Sequence, residues 1–434
     1  MHHKEIELHR NLAAALGLLG IGEVHLRNDK GEETATISPR EHAKALFTYL
    51  NMAGYLSESL LKKAVEYLAA SKPFTCDNEI VLADLKKVCE SSNRNGQFDA
   101  EYFLSHFAKQ EYFSVEDIID LIVFLQQTAF DRQYGVERDR LQVKPWMEEH
   151  NLEFKENAIK LGIITPLPAL KDQYPAAGIM GAGSVRVKKR LEYFRDLKIG
   201  CDLVWALSGN RELSKGLDEE QVMEKIAEFG GKPVNYIKKK VGVDAREFLD
   251  GITETMMVNY LIQTICPNKK IGIVDSTIES GHWRATSAQS AADIVPIIIN
   301  KIQSQEIKNV KDGRYYFLII AEQPYAGRMS KQVQREFNKE IKKRSLEGKI
   351  FIEVEGCGPG ITEQELLNSQ VLTRLNSELG ALMGERFNDA RYILQQRSDL
   401  KLRDPNIIMF SKRDETFKAY QAQVNYSSSR IQFS

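Results

Sequence analysis

Residues 315–328 read YYFLIIAEQPYAGR. The first seven positions are aromatic, aliphatic or β-branched, too few for a typical helix and enough for one strand. No polar residue alternates within the run, so a strand built from it needs cover on both faces, the condition of a parallel sheet flanked by helices. The run ends at Glu322, Gln323, Pro324 and Tyr325, with Arg328 just beyond. Pro324 cannot donate to a ladder and stops the pairing. Groups so costly to bury belong at a strand exit, where their polar ends can meet a ligand instead of hydrocarbon.

Four further short runs rich in apolar residues read as strands: AAGIMGA (176–182), DLVWALS (202–208), IGIVDS (271–276) and IFIEVEG (350–356). Between them lie stretches with helical spacing: 184–198, 218–230, 253–265, 287–303 and 327–344. Strands alternating with helices predict an α/β fold class, a Rossmann-like three-layer domain with a mostly parallel sheet over 176–434, closing in C-terminal helices read over 363–397.

Upstream the rhythm is helical. Five segments between about 39 and 130 carry apolar residues at helical spacing, the first opened by Ser38-Pro39, and predict an all-α, mainly helical N-terminal domain within 1–150. EVHLRNDKGEETATI (23–37) reads as a small hairpin around Asp29-Lys30-Gly31. WMEEHNLEFKENAIKLG (146–162) reads as one more helix. Pro166, Pro168 and Pro175 then stiffen the chain, so 151–175 is expected to connect two domains.

The length of 434 residues exceeds what one core organises. With 59 Lys and Arg against 60 Asp and Glu, the charge footprint of a dedicated nucleic-acid binder is missing. IKKKVG (237–242) and EIKKRSLEGK (340–349) read as solvated helix ends, with phosphate or lipid-headgroup contact as the alternative. Five scattered cysteines without CxxC spacing suit reduced thiols, Cys201 and Cys266 as small buried hydrophobes. No apolar window reaches about 18 residues, and no cleavage site follows the N-terminal stretch, so neither a transmembrane segment nor a signal peptide is expected and the expected location is cytoplasmic.

In an open parallel sheet, ligands bind beyond the carboxyl ends of the strands, where helix N-termini converge. The residues after each apolar run are therefore the candidates. In GAGS (181–184), Gly181 and Gly183 could let the backbone wrap a phosphate while Ser184 caps the helix. Arg186 stands where the dinucleotide fingerprint has its third glycine, so a generic tight turn is the alternative. LSGNRE (207–212) places Ser208, Gly209, Asn210 and Arg211 at a strand mouth. Arg211 either clamps a phosphate or carboxylate or pairs with Glu212 or Asp218 at the surface.

Thr253 is a natural N-cap and puts Glu254 in a helix's first turn, as candidate acid or base or as a simple capping charge. SGHWRATSAQSAAD (280–293) runs from His282, Trp283 and Arg284 into a helix start bearing Thr286 and Ser287, which suits an anion or merely close packing. His282 is a candidate for proton transfer or an ordinary loop histidine, and Arg284 would neutralise charge. Asp275, Glu279 and His282 offer a weaker option for a divalent ion. Gln323, Tyr325 and Arg328 complete the set.

Arg190-Leu191, SGN at 208–210, Thr253-Glu254, RATSAQSA at 284–291 and Arg328 follow one another in the order of motifs seen in the SanA/YdcF-type family of bacterial Rossmann-like proteins, which the chain resembles over roughly 176–340. That family is linked to envelope biogenesis. Gln289 and Ser290 replace its Glu and Asn, and Tyr325 stands where it has a histidine. RLEY (190–193), RATS (284–287) and QPY (323–325) also make the chain similar to a group of uncharacterised proteins from intracellular bacteria, from about Trp146 to the C-terminal helices. The resemblance implies a Rossmann-like fold and a bacterial origin.

The expected function is an enzyme that binds a phosphorylated or nucleotide-containing small molecule and catalyses group transfer or hydrolysis, with Arg211, Arg284 and Arg328 on the anionic groups. Redox chemistry is disfavoured by the broken fingerprint. A nucleotide or S-adenosylmethionine is the cofactor such a site would take. The alternative is a non-enzymatic interaction protein, a secreted bacterial effector whose helical N-terminal domain binds a protein partner beside a degenerate Rossmann-like scaffold.

Overall fold

The computed structural model describes residues 24–28, 32–52, 54, 56–71, 77–94, 97–100, 102–103, 145–241, 244–276, 278, 285–308, 313–368 and 371–378. In chain order the first elements are β1 (Val24–Arg27) and β2 (Glu33–Ile37), which pair antiparallel as the expected hairpin. Helices α1 (Pro39–Met52), α2 (Glu58–Ser71) and α3 (Asn78–Ser92) follow, then the short antiparallel pair β3 (Asn93–Arg94) and β4 (Gln97–Phe98). The helices expected beyond these, up to 130, lie outside the described residues, as does most of the C-terminal helical pair. The helix read over 146–162 is interrupted at His150, giving α4 (Pro145–Glu149) and α5 (Asn151–Lys160). Phe154 of α5 stacks at a tilt on Tyr49 of α1, ring centroids 5.5 Å apart.

The five apolar runs become β5 (Ala176–Met180), β6 (Leu203–Gly209), β10 (Lys270–Ser276), β11 (Tyr315–Ile320) and β12 (Ile352–Cys357), one sheet in the order β10-β6-β5-β11-β12. Every pairing in it is parallel, so all five carboxyl ends share one rim. Counted from the first strand the order is 3-2-1-4-5, an α/β arrangement consistent with a Rossmann-like core, which reverses direction between β5 and β11.

Side-chain alternation sends the two faces of each strand into different cores. Ala177, Ile179, Val204, Ala206, Leu318 and Ile320 pack against α6 (Ser184–Asp196) and α8 (Glu254–Ile265). Ala176, Met180, Trp205, Leu207, Phe317 and Ile319 pack against α9 (Ser287–Gln303) and α10 (Ala326–Lys343). Burial of one such aliphatic side chain contributes about 1.5–3 kcal/mol. Ile294, Ile298, Ile299 and Ile302 of α9 are all buried, and together outweigh the roughly 3 kcal/mol that a helix-interior proline such as Pro296 costs. Cys201 and Cys266 lie in the first core as small hydrophobes, and burial pushes the Cys201 thiol up to about 12.

One expectation is overturned. Residues 237–241 are not a helix end: β8 (Tyr236–Val241) is the edge of a second, antiparallel sheet of order β7-β9-β8, with β7 (Glu212–Ser214) and β9 (Asp244–Thr253). The physical reason lies across the ladder, where Phe248, Leu249 and Ile252 of β9 are buried and Lys238 stands opposite Glu247. Lysines suit such an edge because they discourage further pairing. This sheet and α7 (Glu220–Phe229) form an excursion from the end of β6 that returns to its own starting point, since Glu212 pairs with Thr253.

Candidate functional site at the carboxyl rim

The closure of that excursion brings Arg211 and Glu254 together. The Glu254 N–H donates to the Arg211 carbonyl at 2.7 Å, and Arg211 Nη2 lies 3.6 Å from Glu254 Oε1. Thr253 caps α8 as expected, its hydroxyl accepting from the Met256 N–H. A Cβ on Gly181 would fall 2.8 Å from Glu254 Oε1 and 2.9 Å from Ser208 Cβ, so the glycine leaves the room that the carboxylate uses. Gly181, Ser208, Arg211 and Glu254 therefore form one contiguous group over the ends of β5 and β6.

Arg211 pairs with Asp218, one of the two partners its sequence context suggested, but in the interior and not at the surface. Its side chain is about 1 % exposed, and Nη1 donates to Asp218 Oδ2 at 2.9 Å and to the Glu212 carbonyl at 3.2 Å. Burial works against its charge, but the Glu254 and Asp218 carboxylates more than reverse that and raise its pKa further. Asp218 also accepts the Ser214 N–H at 3.0 Å and, through Oδ1, the Ser184 N–H at 3.1 Å. The cap of α6 is Gly183, with Ser184 the first helical residue, and the Ser184 hydroxyl accepts the Glu219 N–H at 2.8 Å. An aspartate thus occupies the helix start where the glycine loop suggested a phosphate, answering the same dipole and free N–H groups. A Cβ on Gly183 would sit 2.5 Å from the Leu217 carbonyl oxygen, so this glycine serves the approach of the Asp218 loop.

A chain of hydroxyls continues the rim towards β10. Ser208 Oγ lies 3.1 Å from Thr255 Oγ1, which donates to Asp275 Oδ1 at 2.7 Å or to the Gly209 carbonyl at 3.1 Å. Asp275 is exposed. The start of α9 docks here: a Cβ on Gly209 would fall 2.7 Å from Ala285 Cβ, the Asn210 N–H donates to the Ser276 carbonyl, and Ser276 bonds Ser290 at 3.1 Å. Thr286 caps α9 by accepting the Gln289 N–H at 3.1 Å. His282, Arg284 and Glu279 lie outside the described residues.

The exit of β11 is arranged differently. Gln323 Nε2 donates to the Thr165 carbonyl at 2.8 Å and the Gly162 carbonyl at 3.3 Å, tying down the segment that precedes the sheet. Tyr325 is buried, with the Arg186 guanidinium 5.7 Å from its ring centroid. Arg328 pairs with Glu378 through Nε and Nη2. Ser287 donates to Gln332 at 2.7 Å, joining the start of α9 to α10. At the strand reversal, Arg190 pairs with Glu322 and donates to the Met180 and Gly181 carbonyls.

Arg190, Asp218, Thr255, Glu322 and Glu378 were not among the candidates. One signal was legible: Arg190 shares the buried stripe of α6 with Val187, Leu191 and Phe194, and a charge on an apolar stripe requires a buried partner. Among the described residues no helix is long and apolar enough to cross a membrane. In comparisons with known proteins, no family model, no curated protein and no solved structure matches the chain.

Proposed function

We propose that the chain is an enzyme whose small-molecule ligand lies over the carboxyl ends of β5, β6 and β10, with Glu254 as acid or base in a group transfer or hydrolysis. The observation that carries this reading is the placement of Glu254: rim position, first turn of α8, lodged against Gly181 and 3.6 Å from a buried guanidinium. The Arg211 guanidinium faces this carboxylate, and a carboxylate can accept a proton from an attacking hydroxyl or water. The helix start at Thr286 and Ser287 is the natural seat for a phosphate of the ligand, with Arg284 beside it in sequence, because the start of α6 is taken by Asp218. A nucleotide, a nucleotide sugar or S-adenosylmethionine fits a rim that pairs a helix start with hydroxyl and carboxylate acceptors.

Thermal-shift titration against these three classes tests it. At least one should raise the midpoint, and Glu254→Gln should abolish turnover of that ligand while leaving its binding within a few-fold. Full turnover by Glu254→Gln would remove Glu254 from the chemistry.

A second reading, a non-enzymatic interaction protein of the bacterial-effector kind, is favoured by one specific observation. The guanidinium groups of Arg190, Arg211 and Arg328 each face a carboxylate of the chain itself. A ligand panel that never shifts the midpoint would favour this reading over the first.

A further inference from the structure

The two outer strands of the five-stranded sheet, β10 and β12, are finished differently. Along β12, Gln334 of α10 closes the free side: its Nε2 donates to the Ile352 carbonyl at 3.0 Å and its Oε1 accepts the Val354 N–H at 2.8 Å. One side-chain amide thus takes the bonds that a further strand would make. The outer strand of the small sheet, β8, carries Lys238, Lys239 and Lys240, charges that oppose pairing. β10 has neither device. Among the described residues no strand pairs with it on the side away from β6.

The backbone groups on that open side can be identified. The Lys270 N–H donates to the Asp202 carbonyl, and the Ser276 carbonyl accepts the Asn210 N–H, both in the direction of β6. Backbone groups alternate sides along a strand, so those of Ile271, Ile273 and Asp275 point away from β6. Ile273 is 48 % exposed and Ile271 half-buried. An open edge lined with isoleucine is a template for a further strand.

The stretch KKIGIVD (269–275) says which strand fits, because it complements itself when reversed. With Gly272 opposite Gly272 of a second copy, Ile271 falls opposite Ile273 and Lys269 opposite Asp275. A two-fold axis normal to the sheet requires facing residues to share a side, and this register satisfies it. Lys269, over the Phe194 ring, and Asp275, bonded to Thr255, lie on the face that α6 and α8 cover. The outward groups of Ile271 would exchange both N–H···O=C bonds with those of Ile273 in the second copy. The two glycines meet at the non-hydrogen-bonded position, where antiparallel strands approach closest. Gly272 has no freedom to carry a side chain there, since a Cβ would fall 2.3 Å from the Trp205 ring.

We propose that the chain forms a two-fold dimer through β10, antiparallel about Gly272, which joins the two parallel sheets into one. Apolar isoleucine pairs at the centre and opposite charges at the ends fix the register, and the same patch serves both copies. The proposal is independent of any ligand and of Glu254.

Sedimentation equilibrium of the full chain tests it. The parent should dimerise reversibly at micromolar concentration, and I273K should weaken the association at least tenfold while keeping the parent's circular dichroism. Amide hydrogen exchange tests the register. Raising the parent's concentration should slow exchange at Ile271 and Ile273 several-fold and leave Gly272 and Val274, already bonded to β6, unchanged. A monomeric parent, assembly beyond two chains, a dimer that I273K leaves intact, or exchange at Ile271 and Ile273 that ignores concentration would each overturn the proposal. Should I273K not fold, the sedimentation and exchange of the parent decide the matter alone.

Discussion

Arg190 of α6 and Glu322, the second residue past β11, form an ion pair with side-chain exposures of 1 % and 8 % at the point where the sheet reverses direction. Arg190 also reaches the Met180 and Gly181 carbonyls at the end of β5, and Arg186 Nη1 stands 3.6 Å from the other Glu322 oxygen. The crevice that a doubly wound sheet opens between its first and fourth strands is thus filled by the protein's own charges.

Breaking that pair from one side leaves an uncompensated buried charge. Arg190→Met is expected to cost about 3–5 kcal/mol in urea denaturation. Arg190→Met/Glu322→Gln should recover a substantial part of the loss, and a double-mutant cycle that returns no coupling would show the pair to be energetically idle.

Burial pushes the Glu322 carboxyl up, but the Arg190 and Arg186 guanidinium groups overcome this and hold it below its ordinary value of 4.5. Folding therefore releases its proton, and the stability it contributes is complete above 4.5 and lost as pH falls through the lower folded value. Midpoint temperatures measured between pH 4.5 and that lower value should fall more steeply for the parent than for Glu322→Gln. Parallel curves would contradict the assignment.

Gly183→Ala forces a Cβ to 2.5 Å from a backbone oxygen, that of Leu217, which cannot swing aside. The expected loss is about 1–3 kcal/mol, measured by thermal or chemical denaturation. Gly181→Ala meets the movable end of Glu254 but also Ser208 Cβ at 2.9 Å, which is fixed to β6, so it should lower stability as well as change ligand response.

Lys238 and Glu247 face each other across β8 and β9 with the lysine side chain 79 % exposed. Lys238→Ala should change stability by less than about 0.5 kcal/mol. A loss comparable to that of Arg190→Met would mean that the second sheet depends on its charges.

The parallel sheet was legible because its three central strands, β5, β6 and β11, are apolar on both faces, a pattern that solvent-facing strands do not show. The second sheet was not, since Lys238, Lys239 and Lys240 carry a strand whose burial is supplied by Phe248 and Leu249 on its neighbour. At the site, the capping role of Thr253 follows from a local pattern, while two outcomes for Arg211 were equally compatible with its neighbours in sequence. The excursion through β7–β9 chose between them by carrying Asp218 under the guanidinium.

The sequence by itself determined the five parallel strands, the helices between them and the rim on which polar loops gather, because each depends on residues a few positions apart. Only the tertiary structure decided which charges on that rim face outward. Ion pairing depends on distance in space, and Arg190 with Glu322, Arg211 with Glu254 and Arg328 with Glu378 meet across chain separations that no local pattern encodes.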